Sequence, residues 1–464
     1  MQRSLPETVT INAFTDIDVE VSSAIADRAN RWGGKGDMLR QLAPMAPGAE
    51  AEATDWCHPD VGWGIVLPDR DDISAVDKAS AKDAPAPIQR LLAERRSAPA
   101  FRYRADLGEK KLARYFPDGG RQDPEIGLTP YGTAKGRIPM YLLIVGSPTE
   151  IPWRLQYALN RRYRVGRLHL PEQALDRYVD ALTSDWNGMD CEGDRAVVWS
   201  VNFDSITRKM EVTIADLIVK AMHTDTEVRT TRISGADATN EALIAALVAE
   251  RPAVIVTSSH GKTGPLDNPE LMRATLGLPV DQLRATLDID KLAEWTPNGA
   301  IWYSHACCSA GSDEGTSYSG LLAEGSLAER VVSGVAQLGS TVAPLPTQLL
   351  SAARPVRAFV GHVEPTFDWT LIQTDTGQFL TDPLVKSIYP NLYRRKPLAL
   401  SLEDHFRGVG ELYAKLERAR EGINTLVPGA HDDATYYKLT ACDRQSLVLL
   451  GDPTVLIPPL PSQR

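Results

Sequence analysis

The chain has 464 residues, 43% of them hydrophobic and 24% charged, with no biased tract, which is the composition of a soluble globular protein able to bury one large core or two to three smaller ones. A formal net charge of −10 excludes a general nucleic-acid or anionic-membrane binder, although it allows a local basic patch. No window approaches the roughly 20 apolar residues of a membrane helix, and the opening MQRSLPETVTINAFTD lacks a signal peptide's apolar core, so the expectation is a cytoplasmic protein with neither membrane nor nucleic acid as a direct partner.

The cysteines, Cys57, Cys191, Cys307, Cys308 and Cys442, are odd in number in a large chain and imply no disulfide framework. Free thiols in a reducing compartment can serve as nucleophiles.

Residues 1 to about 135 carry few signals. Val61 to Pro68 (VGWGIVLP) reads as a strand and Ile88 to Arg96 as a short amphipathic helix, while Asp69 to Asp83 is charged and Ala/Ser-rich and the Pro117 to Pro124 cluster reads as a loop. An accessory or capping layer is expected here. Pro139 to Gly146 predicts a strand, Trp153 to Leu159 a helix, Tyr163 to Leu168 a strand and Pro171 to Ser184 a helix, half of a parallel-sheet unit within a segment 136–190.

A third segment, 191–464, restarts the pattern. Ala196 to Val201 is a predicted strand, Ile206 to Met222 a helix, Glu227 to Ile233 a strand and Thr239 to Glu250 a helix. The strand Ala253 to Thr257 follows, then a helix from Val280 to Ala293 and the strand beginning at Ala300. Beyond lie a helix Leu321 to Ser333, strands Ser340 to Leu345 and Val356 to Val363, a long amphipathic helix Ser401 to Arg420, and a closing strand Leu447 to Leu450. Strands and helices alternating at this spacing predict a parallel sheet with right-handed crossovers.

Two of these strands end alike. Ala253 to Thr257 (AVIVT) runs into Ser258, Ser259, His260 and Gly261, and Ala300 to Tyr303 (AIWY) runs into Ser304, His305, Ala306, Cys307 and Cys308. Both runs are too continuously apolar for a half-exposed strand, and ligands collect at the carboxyl ends of parallel strands. Adjacent strands would bring His260 and Cys307 to one sheet edge, where an imidazole can take the thiol's proton and return it to a leaving amine. Gly261, lacking a side chain, lets its N–H approach a substrate carbonyl, and with the Cys307 N–H it would form an oxyanion hole. A zinc site from His260, His305, Cys307 and Cys308 is disfavoured, because adjacent cysteines lack the C-x2-C spacing that turns two thiolates to one metal. No glycine-rich phosphate loop follows a strand, so no nucleotide enzyme is implied, and neither metal nor cofactor is expected.

SSHG followed by SHACCSAG resembles the caspase-like cysteine proteases of the caspase, gingipain and separase group, most closely the bacterial CHAT proteases, whose nucleophile loop commonly reads S-A-C-x-T-A. Cys307 stands 47 positions after His260, close to the roughly 50 of the caspase signature. YLLIVGSPTEIP (Tyr141 to Pro152) is similar to the opening of a gingipain-like first half, and QSLVLLGDPTVLIP (Gln445 to Pro458) to the closing strand of CHAT domains. His305 replaces the usual serine, and Cys308 sets a second thiol beside the first.

The resemblance implies an α/β caspase-like (caspase-hemoglobinase) fold, with 1–135 accessory, 136–190 a non-catalytic gingipain-like half and 191–464 the catalytic domain. It implies a cysteine endopeptidase with Cys307 as nucleophile and His260 as acid/base, acting in bacterial defence or regulated cell death on a protein substrate such as a gasdermin-like effector, with a possible activating protein partner. In this family an acidic residue beside the dyad selects Lys or Arg, which makes Asp204, Asp313 and Glu314 candidate substrate-binding residues. The alternative is a catalytically silent scaffold that binds a protein partner.

Overall fold

The computed structural model describes residues 5–35, 51–95, 98–373 and 376–461. The first strands are β1 (Thr8–Ile11), β2 (Ala13–Phe14) and β3 (Val21–Ala24), followed by β4 (Trp63–Pro68), β5 (Ala100–Tyr103), β6 (Ala113–Tyr115) and β7 (Arg121–Gln122). Next come β8 (Tyr141–Val145), β9 (Arg164–Leu168), β10 (Glu192–Ser200), β11 (Arg229–Ser234), β12 (Pro252–Ser258) and β13 (Gly261–Lys262). The last are β14 (Ile301–His305), β15 (Gly311–Ser312), β16 (Thr341–Val342), β17 (Ala358–His362) and β18 (Leu447–Gly451).

Among the described residues, one twelve-stranded sheet runs in the order β11-β10-β12-β14-β17-β18-β9-β8-β4-β5-β6-β7. From β11 to β17 the strands are parallel. Strand β18 turns antiparallel to β17 and runs parallel to β9, so the block β9, β8, β4 and β5 points opposite to the first, and β6 and β7 finish that edge antiparallel. The expected α/β architecture, a mainly parallel sheet flanked by helices, is the one the chain adopts.

Every residue of β8, β12 and β14 is buried, because helices cover both faces; that is why these strands read as continuous apolar runs rather than alternating ones. The helix Glu172–Thr183 is amphipathic and buries Leu175, Tyr178 and Val179 in the main core, while Glu403–Asn424 packs on Ala430–Gln445 and buries Val409, Leu412 and Leu416 in a separate cluster. The blocks meet where β18 pairs with β9 at Leu450 and Arg167, and a Cβ on Gly166 would lie 2.1 Å from the Gly451 carbonyl, so only glycine fits that seam. Asp452, fully buried just past β18, accepts from Trp63 Nε1 at 3.1 Å and pairs with Arg95 at 3.4 Å. The Gly-Asp-Pro turn thus ties the chain's end to its first hundred residues.

Several elements differ from expectation. Strands β4 to β7, from the region expected to form a capping layer, extend the central sheet itself, and that sheet runs across residues 135 and 190. The helix expected over 88–96 spans Ala86–Glu94, with Arg96 outside the described residues. The helix expected from Val280 to Ala293 shrinks to Ile289–Leu292. The Asp281 carboxylate accepts the N–H groups of Leu283 and Ala285, both at 2.9 Å, and a side chain bonding its own backbone this way competes with helix formation. The helix expected from Leu321 begins at Leu327, where Ser326 caps the Glu329 N–H. The strand expected over 340–345 reduces to Thr341–Val342, paired with Gly311–Ser312, because Pro344 opens a helix to Ser351. The helix Ala430–Gln445 has no sequence signal: it is enclosed on nearly all sides, burying Thr435, Lys438, Thr440 and Asp443 along with its apolar residues, so no polar stripe marks it.

Candidate active site

Strands β12 and β14 pair in parallel with Ser258 opposite His305. Two residues beyond each of these, the chain places His260 and Cys307 on neighbouring backbones. The approach is tight: a Cβ on Gly261 would stand 1.9 Å from the Cys307 carbonyl oxygen, so position 261 needs glycine on packing grounds alone. Gly261 itself lies in β13, paired with Ala13 and bridged to Pro279. Among the described residues the Cys307 N–H donates to no backbone carbonyl.

Strand β10, on the other side of β12, supplies the third group. Asp204 Oδ2 lies 2.5 Å from His260 Nε2, while Asp204 Oδ1 accepts the Thr207 N–H at 2.9 Å and caps the helix Ser205–Met210. Burial opposes charge on Asp204, but the bonds from His260 and Thr207 outweigh it and hold the carboxyl below its usual range. A carboxylate accepting at Nε2 leaves Nδ1 as the basic nitrogen, and Nδ1 is buried with no hydrogen-bond partner among the described residues. Phe203 packs against the imidazole with ring centroids 5.3 Å apart. Asp204 thus holds the histidine, where the sequence reading made it a substrate-binding residue.

Cys307 is fully buried, and its Sγ accepts the Thr366 N–H at 3.1 Å with Thr366 Oγ1 at 3.9 Å. Burial drives the thiol well above its ordinary range, against the lowering effect of Thr366 and with help from the Asp443 charge, so in this arrangement it is a neutral thiol. The bonds of Sγ go to Thr366 and not to the imidazole. Cys308 sits at φ +55°, packed so that its carbonyl lies where any Cβ on Gly277 would be, and burial raises its thiol too.

Asp313 and Glu314 lie past β15, tied to Ser340: the Ser340 hydroxyl donates to Asp313 at 2.7 Å and the Glu314 N–H donates to Ser340 Oγ at 3.0 Å. Neither bonds His260 or Cys307. Glu364, which the sequence reading missed, is 4% exposed and its carboxylate accepts from the Ser317 N–H and hydroxyl, while burial pushes its carboxyl up to about 7. Thr366 and Glu364 follow β17, and only a Glu-Pro-Thr at a strand end could have marked them.

Asp443 lies beneath this segment, accepting the Phe367 N–H at 3.1 Å and the Thr370 hydroxyl at 2.5 Å, with burial pushing its carboxyl up to about 7. The folded state therefore holds a proton that the unfolded chain releases near pH 4, so this group's stabilising contribution falls as pH rises from about 4 to about 7. An Asp443→Asn chain keeps an oxygen for Phe367 and cannot ionise. Its melting temperature is expected to match wild type at pH 4.5 and to exceed it at pH 8, by up to a few degrees; parallel melting curves against pH would refute the assignment.

Among the described residues, no group of three or more His, Cys, Asp or Glu side chains is placed to hold a metal ion, and no helix is long and apolar enough to cross a membrane. No protein-family model matches the chain, and no curated protein is detectably similar to it.

Proposed function

We propose that the chain is a cysteine endopeptidase of caspase-like type. The observation that carries the reading is the delivery of Asp204, His260 and Cys307 from the ends of three successive strands of the sheet, β10, β12 and β14. The parallel block from β11 to β17 is compatible with the catalytic caspase-like half, and the block β9, β8, β4 and β5 with a gingipain-like partner half.

In the proposed reaction His260 Nδ1 takes the Cys307 proton, and Sγ attacks the substrate's peptide carbonyl, forming an S–C bond. The N–H groups of Gly261 and Cys307 stabilise the oxyanion. Collapse breaks the C–N bond, the proton passes from Nδ1 to the leaving amine, and water then hydrolyses the thioester with His260 as base. The substrate is a protein, cut in an extended segment. Resemblance to the CHAT proteases supports a cytoplasmic role in defence, with a gasdermin-like or other effector as that protein.

One observation favours the second reading, a silent scaffold: the thiol is fully buried and bonded to Thr366 rather than to His260. The two part on a peptide library varied at the residue before the cut, incubated with a chain in which Cys307 reacts with thiol reagents and with the same chain carrying His260→Ala. Cleavage that His260→Ala abolishes supports the peptidase; a chain with Cys307 open to reagents that still cuts nothing is a scaffold.

A further inference from the structure

We propose that residues 8–24 are an intramolecular occupant of the substrate cleft, which keeps Cys307 covered until the segment is displaced. The inference rests on the peptidase reading and names the regulation of that same site.

The segment is a hairpin, β1 against β3, with Thr8 opposite Ala24 and Ile11 opposite Val21. Its inner strand continues through Asn12 into β2, which lies parallel to Gly261–Lys262 directly after His260. Asn12 is fully buried between the two stretches that bracket the dyad. Its N–H donates to the Thr366 carbonyl at 2.9 Å, and its Nδ2 donates to the Ser259 carbonyl at 2.9 Å. Thr366 is the residue that caps the Cys307 sulfur, and Ser259 immediately precedes the catalytic histidine. Ile11 adds a bridge to Phe367. An extended backbone laid on strand edges by main-chain bonds is how a cleft of this kind holds a peptide.

The segment is held in two ways. Val9, Ile11 and Val21 are buried in the cluster that also contains Cys307 and Cys308. The tip is held by charge: Asp16 pairs with Lys262, Asp18 with Arg284 at 2.6 Å, and Glu20 accepts the Ser205 N–H at 2.8 Å. Between these anchors Ile17 and Val19 are 56% and 59% exposed, so the tip is reachable by a protease or a competing protein. Lys262 and Arg284 flank the dyad: Lys262 is two residues past His260, and the Arg284 guanidinium lies over Phe203, 4.9 Å from its ring, which itself packs on His260. The Asp18–Arg284 pair is solvent-reached, and such pairs are individually weak and salt-screened, whereas Lys262 is buried, so the tip beyond Asp16 is the part that opens first.

The test is alkylation of the full chain by iodoacetamide, resolved cysteine by cysteine by mass spectrometry. Cys57 is exposed and reports reagent access, while Cys191, buried in the main core away from the hairpin, reports global unfolding. In wild type, Cys57 should react and Cys307 should not. In the charge-reversed chain D16K/D18K/E20K, Cys307 labelling should rise by about tenfold or more with Cys191 still protected. A synthetic peptide of residues 8–24 added in trans should restore the protection. A second variant lacking residues 1–26 should label Cys307 in the same way; should it unfold, as labelling of Cys191 would report, the charge-reversed chain decides. Wild-type Cys307 reacting as fast as Cys57, or Cys307 staying protected in the folded truncated chain, overturns the proposal. Cys307 uncovered without any peptide being cut leaves the occupant standing and refutes the peptidase.

Discussion

A Cys307→Ala chain is expected to fold and to cut no peptide, while Cys308→Ala keeps cleavage within a few-fold of wild type. In the proposed reaction, removing the nucleophilic sulfur leaves only binding and oxyanion stabilisation, and losses on the order of 10⁴-fold or more are usual for such removals. Stability should fall modestly, because the Thr366 N–H loses its acceptor in a fully buried setting, at about 1–3 kcal/mol. Cys307→Ser, which retains an acceptor for Thr366, should recover much of that stability without recovering activity. Cys308 points elsewhere for a backbone reason: at φ +55° its peptide turns left-handed, and its N–H faces the Glu364 carbonyl at 3.4 Å. Kinetics and melting curves of the three variants decide the matter, and cleavage surviving in Cys307→Ala would transfer the nucleophile to the neighbouring thiol.

Asp204→Asn is expected to lower kcat by roughly 10² to 10⁴ with KM nearly unchanged. The amide NH2 would donate toward His260 Nε2, which reverses the tautomer and places the ring proton on Nδ1, the nitrogen that receives the Cys307 proton in the proposed reaction. The cap on the Ser205–Met210 helix survives, since asparagine caps as well as aspartate, so the melting temperature should scarcely change. That separation distinguishes a residue that positions the base from one that merely supports the fold. A matched loss of stability and activity would make Asp204 structural, and a rise in KM alone would return it to the substrate-binding role that its place after β10 first suggested. Both measurements are best made on the charge-reversed chain, in which Cys307 is expected to be open.

The parts of the site legible in the sequence were those written into single strands. AVIVT and AIWY announce buried parallel strands because both faces are covered, and the small polar residues after them announce strand ends, so His260, Gly261 and Cys307 could be named together. Asp204 was visible as a residue after a strand but not as a partner of His260, since strand order within a sheet is not encoded locally. Asn12 carried no signal, and Thr366 and Glu364 none beyond a Glu-Pro-Thr at a strand end. Thr366 reaches the thiol from the loop after β17, and Asn12 reaches Thr366 and Ser259 from a hairpin more than two hundred residues from His260; nothing in a short polar residue tells which distant carbonyl it will meet.

What the sequence by itself determined is the layered α/β plan, through strands apolar along their whole length and helices apolar along one stripe, and the chemistry offered at two strand ends. Tertiary structure alone decided that residues 63–122 extend the main sheet, that Ala430–Gln445 is helical, and that the thiol is capped by Thr366 under the hairpin 8–24. The physical reason is common to all three. Edge strands, enclosed helices and covering segments take their stability from contacts made far along the chain, so their own residues need not carry the periodicity that marks an element formed against a nearby core.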